Sequence, residues 1–370
     1  MELARFPIQR IALRLVEGID GTLLVLILAL SMLGFAALFS ASYESPGRVL
    51  NQLVSLSIAL TAMWLTAQLT PQTMMRFAVP AYVAGVILLV LVALFGDVVN
   101  GARRWLNVGI TRFQPSEMLK LALPLMLAWY FHRRESTLRL RDFAVAALLL
   151  GVPVGLILRQ PDLGTASLVG AAGFYVIFFA GISWRVLGGL AALFVVALFP
   201  LWGMLHDYQR RRILTLLDPT QDPLGAGYHI IQSTIAVGSG GISGKGWLNG
   251  TQSHLEFIPE RHTDFIFAVY SEEFGLIGNA VLLILYGLLI GRGLLIAANA
   301  ATLFARLMAG SVTLMFFTYA FVNMGMVSGI LPVVGVPLPF LSYGGTALLT
   351  LFIGAGILMS VQRHRKLVQT

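Results

Sequence analysis

Several ionisable residues of this chain stand inside or beside long apolar runs, where an unpaired charge is costly. Glu117 and Lys120 are three apart and so share one face of a helix. Pro115 suits the first helical position, and Glu117 in the first turn complements the helix dipole. Two readings stay open for this pair: a structural ion pair at a helix start, or the polar wall of an outward-facing cavity. Asp162 follows Pro161 at the head of another apolar run, where an N-cap is the simplest role. Asp264 closes the polar stretch Glu260-Arg261-His262-Thr263 and opens a further apolar run. It too could cap a helix. Burial beside hydrocarbon would raise its pKa, and the cations Arg261 and Arg210 to Arg212 would lower it. Opposed pressures of that kind suit a tuned general base.

Other patterns carry less. The run Gly238-Ser239-Gly240-Gly241-Ile242-Ser243-Gly244-Lys245-Gly246 resembles a phosphate loop, but Ser239 stands where the pattern needs Gly, and Gly246 where it needs Ser or Thr. Nucleotide binding through it is rejected. His206, His229, His254 and His262 show no zinc spacing and read as scattered polar residues. There are no cysteines, which excludes disulfides and thiolate metal sites. Glycines such as Gly151 and Gly155 suit close helix packing.

The elements that must position these residues follow from composition. Hydrophobic residues make up 57% of the 370 residues and charged residues 11%, against roughly 25% charged in a soluble domain. Apolar runs of near the ~20 residues needed to cross hydrocarbon recur along the chain. They are apolar on all faces, unlike barrel strands. The expected fold is an all-α integral membrane protein of about ten transmembrane helices, forming a single polytopic membrane domain over residues 1–370. The spans are placed at 21–41, 50–69, 77–95, 116–131, 143–159, 164–181, 186–205, 264–291, 307–328 and 342–361. The eighth is over-long and holds Glu272 and Glu273, which suggests a tilted or broken helix. Short loops rich in Arg, such as that with Arg133, Arg134, Arg139 and Arg141, put both termini in the cytoplasm. The loop at about 206–263 is then extracytoplasmic. It carries Tyr228, Ile230, Ile231 and Trp247, which argues for order, and loops this long are usually functional or disordered. The outer segments are rich in both signs of charge. The net charge of +8 lies largely in topology signals, so nucleic acid is not expected as a partner. The basic C-terminal tail reads as a topology anchor or an anionic-lipid contact.

Longer blocks carry a resemblance. Asp218-Pro219, Asp222 to Ser233, Pro259 to Val269, Asn323 to Pro332 and Pro337 to Gly345 look like the SEDS family (shape, elongation, division and sporulation). So do Arg103 to Leu106, Phe113 to Glu117 and Gln160 to Thr165. Lys245-Gly246-Trp247 and the stretch from Gln252 to His262 resemble the elongation branch of that family more than the division branch.

The resemblance implies a peptidoglycan glycosyltransferase of the bacterial cytoplasmic (inner) membrane. Such an enzyme polymerises lipid II on the outer face, with a class B penicillin-binding protein supplying transpeptidation within the elongation machinery. It also implies that the essential carboxylate is that of the His-Thr-Asp motif, Asp264. Glu117, Lys120, Asp162, Trp105, Arg210, Lys245 and Arg261 are the expected substrate-binding residues, the cations meeting the lipid diphosphate. The segments near Trp105 and Asp162 are expected to border a groove open to the bilayer for the polyprenyl tail. No cofactor is assigned, though a diphosphate leaving group makes magnesium or manganese plausible. Two other classes compete: a lipid II flippase, which needs an inner gate as well, and a non-catalytic scaffold, which would tolerate loss of Asp264.

Overall fold

The structure, a computed structural model, describes residues 18–42, 46–99, 102–107, 112–204, 210, 214–221, 225–255, 257–258 and 260–365. The expected spans appear as α1 (Gly21–Ala41), α2 (Pro46–Gln68), α3 (Pro71–Phe95), α4 (Pro115–Arg133), α5 (Leu140–Arg159), α6 (Leu163–Phe179) and α7 (Trp184–Met204). After the long connection come α10 (Ile266–Ala298), α11 (Leu303–Val327) and α12 (Thr346–Arg363). The connection itself holds α8 (Ala226–Ser239) and the single turn α9 (Thr251–His254). Among the described residues seven helices are long and apolar enough to cross a membrane, namely α1, α2, α3, α5, α10, α11 and α12; α6 and the first part of α7 are shorter apolar helices. α4 carries Glu117, Lys120, His132 and Arg133 and is less apolar.

Burial sorts the helices. α11 and α4 pack at the centre, α11 against α10, α6, α4 and α12. The outer helices expose large apolar side chains such as Val25, Met32, Leu94, Phe95, Leu148 and Ile284. In water that surface would aggregate, whereas in lipid it is the solvent-matched face. The turns are held by paired charge. Asp20 caps α1 through Leu23 N–H at 2.8 Å and pairs with Arg292 of α10 at 2.5 Å. Asp142 is 1% exposed and takes Arg134 at 2.8 Å, Tyr130 Oη at 3.2 Å and Arg139 N–H at 2.8 Å, folding the α4–α5 turn.

Between α3 and α4 the chain departs from the expected plain loop. Asp97–Val99, Ala102–Asn107 and Arg112–Phe113 form a small antiparallel meander, β1-β2-β3, with Asp97 opposite Trp105 and Leu106 opposite Phe113. Strands this short lack the alternation over 4–8 residues that marks a strand in sequence.

The over-long helix is broken, and the Gly-rich run explains how. At Gly275 (φ 64°, ψ −159°) α10 leaves helical geometry. The regular bonds lost are those from Leu276 N–H to Glu272 O and from Ile277 N–H to Glu273 O. The 240–246 segment supplies all four missing partners. Lys245 N–H donates to Glu272 O at 3.0 Å and Gly246 N–H to Glu273 O at 3.0 Å. Leu276 N–H donates to Gly241 O at 2.9 Å and Ile277 N–H to Ile242 O at 3.1 Å. The approach requires glycine. A Cβ on Gly244 (φ +78°) would lie 2.0 Å from Glu273 O, and one on Gly240 2.1 Å from Ser271 O. The same break holds two buried carboxylates. Glu272 accepts from Lys245 Nζ at 2.7 Å, Thr251 N–H at 2.9 Å and Gln252 N–H at 3.0 Å, and Glu273 accepts from Ser40 Oγ of α1.

Gly244→Ala should therefore destabilise the protein by about 2–5 kcal/mol, from left-handed strain and overpacking together. Gly238→Ala, with nothing within 4 Å of the added methyl, is the matched control. Thermal melting of the two variants in detergent checks this, with Gly244→Ala alone melting lower.

Candidate active site

The two carboxylates that open helices differ in what they do. Asp162 is a cap: it accepts from Thr165 N–H at 3.1 Å and Thr165 Oγ1 at 2.9 Å. It also takes Gln114 Nε2 at 3.1 Å, and Arg104 Nε lies 3.8 Å away. Asp264 is no cap. The N-cap of α10 is Phe265, with no side-chain bond to the helix N-terminus. Among the described residues no donor is assigned to the Asp264 carboxylate. The side chain is half-buried, and Oδ2 lies 3.2 Å from where a Cβ on Gly335 would stand. Burial, reinforced by the Glu260 charge, pushes its pKa up to about 6. A carboxyl at that value is ionised at neutral pH and more basic than an ordinary aspartate.

Glu117 and Lys120 pair at 2.6 Å, both buried. Lys120 Nζ also lies over the Tyr319 ring of α11, 5.0 Å from its centroid. Glu117 Oε2 and Tyr319 Oη have no partner among the described residues. Asn323, one turn beyond Tyr319 on the same helix face, donates to the Asp264 backbone carbonyl at 2.7 Å. The C-terminal half of α11 is thus the common wall of the Asp264 and Glu117–Lys120 regions. Neither Tyr319 nor Asn323 was singled out from sequence as a site residue. The available signal was a polar side chain within an apolar span.

The remaining expected residues separate. Trp105 is half-buried on β2 and packs its backbone beside Gly96. Its neighbour Arg104 reaches the α5–α6 turn, donating to Pro161 O at 2.5 Å and Gln160 O at 3.4 Å, so the meander is tied to Asp162. Lys245 is engaged by Glu272 and by Thr251 Oγ1 at 2.7 Å. Arg261 Nε donates to Ala41 O at 3.0 Å, and Arg210 to Gly203 O at 2.7 Å. Arg211 and Arg212 lie outside the described residues. Arg48 of α2, not expected from sequence, contacts His262 Nε2, while His262 Nδ1 meets Ser42 Oγ at 3.2 Å.

An apolar groove of about 520 Å³ runs between α2, α3, α4, α11 and α12, from Glu117 and Thr346 at one end to Leu69, Met74 and Met308 at the other. It lies on the Glu117 side of the bundle. Neither Trp105 nor Asp162 lines it, so the expectation that those segments border a bilayer-open groove is not met by this one.

The cell cycle protein family FtsW/RodA/SpoVE matches residues 21–367. The chain belongs to the SEDS family. It is 52% identical to the peptidoglycan glycosyltransferase MrdB of Escherichia coli (strain K12) over 352 residues, 95% of each chain. It also superposes on a chain from a peptidoglycan synthase complex, studied for the coordination of polymerization and crosslinking. There the TM-score is 0.82 at 39% identity, with 94% of this chain and 99% of that one covered. The rod shape determining protein RodA of Thermus thermophilus matches with a TM-score of 0.72 at 34% identity, covering 94% and 97%. Membership of the family makes this an integral membrane protein, all-α but for the meander.

The buried pair separates structure from function cleanly. Lys120→Met leaves Glu117 buried without its counter-charge and should cost about 3–5 kcal/mol. The double variant Glu117→Met/Lys120→Met should regain most of that stability. If the pair serves the site, the double variant is well folded and inactive. Full activity of the folded double variant would make the pair structural only.

Proposed function

We propose that this SEDS protein is a peptidoglycan glycosyltransferase that polymerises lipid II into glycan strands at the outer face of the cytoplasmic membrane during cell elongation. The observation that carries the reading is Asp264, a half-buried carboxyl at a helix mouth, with a raised pKa and no capping duty. Forming a β-1,4 bond requires a sugar hydroxyl to attack an anomeric carbon that bears a lipid diphosphate. The leaving group is good and the nucleophile poor, so the chemistry needs a base more than an acid, an effect typically worth 10²–10⁴-fold. Going from an α-linked donor to a β-linked product is an inversion. It is met by one displacement and one base, with no covalent enzyme intermediate. Asp264 takes the hydroxyl proton, the new C–O bond forms, and the electron pair of the breaking bond leaves with the diphosphate.

The diphosphate needs cations. Arg261, within the Asp264 segment and bonded to Ala41 O of α1, and Arg48, which contacts His262, are candidates. Among the described residues no group of three or more His, Cys, Asp or Glu could hold a metal ion. The polyprenyl tail is assigned to the apolar groove headed by Glu117. Both termini are cytoplasmic and the 206–263 segment is outside, on the strength of the arginine-rich short loops; a reporter fused at Gly225 reads out that side. The partner is a class B penicillin-binding protein, in keeping with the synthase complex in which its structural relative was found.

Asp264→Asn tests the reading. Purified with its partner and given labelled lipid II, the variant should bind both and make almost no polymer. It should also be at least as stable as the parent at pH 7.5. A carboxyl whose folded pKa lies above its unfolded value of about 3.9 destabilises the fold wherever it is charged. That penalty is present above about pH 6 and gone below about pH 4. Near-normal polymer from Asp264→Asn would remove Asp264 from the chemistry.

A further inference from the structure

Three successive carbonyls ahead of α10 are each taken by a donor from the α11–α12 region. Tyr343 N–H donates to His262 O at 2.9 Å, Ser342 Oγ–H to Thr263 O at 2.6 Å, and Asn323 Nδ2–H to Asp264 O at 2.7 Å. Residues 262–264 precede the helix, so these carbonyls would otherwise face an apolar interior unpaired. The donors are themselves fixed. Asn323 is fully buried and uses its second N–H on Val336 O at 2.7 Å. Ser342 Oγ accepts from Leu338 N–H at 2.7 Å. One amide therefore ties the Asp264 backbone to the 332–343 segment, and that segment presents Gly335 (φ +72°) to the carboxylate.

The geometry points to Asn323 as the positioning residue of Asp264, holding its backbone so that the carboxylate stays over Gly335 and out of bulk water. The inference rests on Asp264 being the base. Asn323 touches no reacting atom and acts through the Asp264 carbonyl, whose direction sets that of the Cα–Cβ bond. With the amide removed, two buried carbonyls lose their donor, the 263–265 turn relaxes toward solvent, and the carboxylate gains water. Among the described residues, the charged and titratable groups that meet this segment are Glu260, Arg261 and His262 within it, Arg48 of α2 on His262, His229 of α8 stacked on Phe265, and Tyr343 beyond it. Asn323→Ala alters none of them. Any change in the proton affinity of Asp264 then reports its hydration, and hydration moves it down toward the ordinary carboxylate range.

The experiment compares the parent chain with Asn323→Ala, Ser342→Ala and Asp264→Asn, each full-length in nanodiscs with its partner and lipid II. Asn323→Ala should lower kcat about 10–100-fold, as misplacement by about 1 Å does, with KM for lipid II within about twofold. The acid limb of its pH–rate profile should shift to lower pH. Ser342→Ala, which removes one donor and spares Asn323, should move both readouts the same way and less, and it serves where Asn323→Ala does not fold. If Asp264→Asn is inactive while the folded variants keep the parent's kcat and acid limb, the positioning role is wrong and the base survives. Loss of kcat with an unmoved acid limb makes Asn323 merely structural and also overturns the inference. An active Asp264→Asn instead removes the base itself.

Discussion

A backbone N–H or C=O without a partner in hydrocarbon costs several kcal/mol, and this chain interrupts its longest helix at Gly275 all the same. Two helical hydrogen bonds are exchanged for four to the 240–246 segment. That exchange anchors the second half of the long connection against α10. It also brings Lys245 and Thr251 to Glu272, and Glu273 to Ser40 of α1. The start of α10, two turns before the paired glutamates, is thereby held from one side by the Gly-rich run and from the other by Asn323 and Ser342. The Asp264 side chain is the exception in this neighbourhood. Its backbone carbonyl is engaged, and its carboxylate has no donor assigned among the described residues.

That contrast is the energetic signature of a working group. Asp162, Asp142, Asp20 and Glu272 each accept at least two donors, which is how buried carboxylates are ordinarily made tolerable. Asp264 is desolvated without such compensation, so its charged form is held at a cost that the proton of an attacking hydroxyl relieves. The Glu117–Lys120 pair follows the ordinary rule, with Tyr319 beneath the ammonium and one carboxylate oxygen left over at the head of an apolar groove.

Much of this was legible from residue order. The apolar runs placed ten helices, most ends to within a few residues, though α3 begins six residues earlier and α10 ends seven later, because a span that must hide its backbone in lipid has few alternatives to a helix. The Glu272–Glu273 pair marked α10 as irregular, and the cap weighed for Asp162, alongside its expected substrate-binding role, is present. What escaped depends on pairing across the chain. The Gly-rich run, which resembles a phosphate loop in sequence, packs against a break thirty residues later that no local pattern reveals. The short β-strands are tied to the α5–α6 turn by Arg104, which reaches the carbonyls of Gln160 and Pro161. Asn323 sits in an apolar helix, where its two carbonyl partners, from residues 264 and 336, are invisible to spacing rules.

The pH dependence of kcat/KM for lipid II polymerisation bears most directly on Asp264 as a buried base. It should fall tenfold per unit below an apparent pKa of about 6, matching the raised value of that carboxyl, and the residual rate of Asp264→Asn should show no such limb. An acid limb near the ordinary aspartate value of about 4, or one that persists unchanged in Asp264→Asn, would contradict the account.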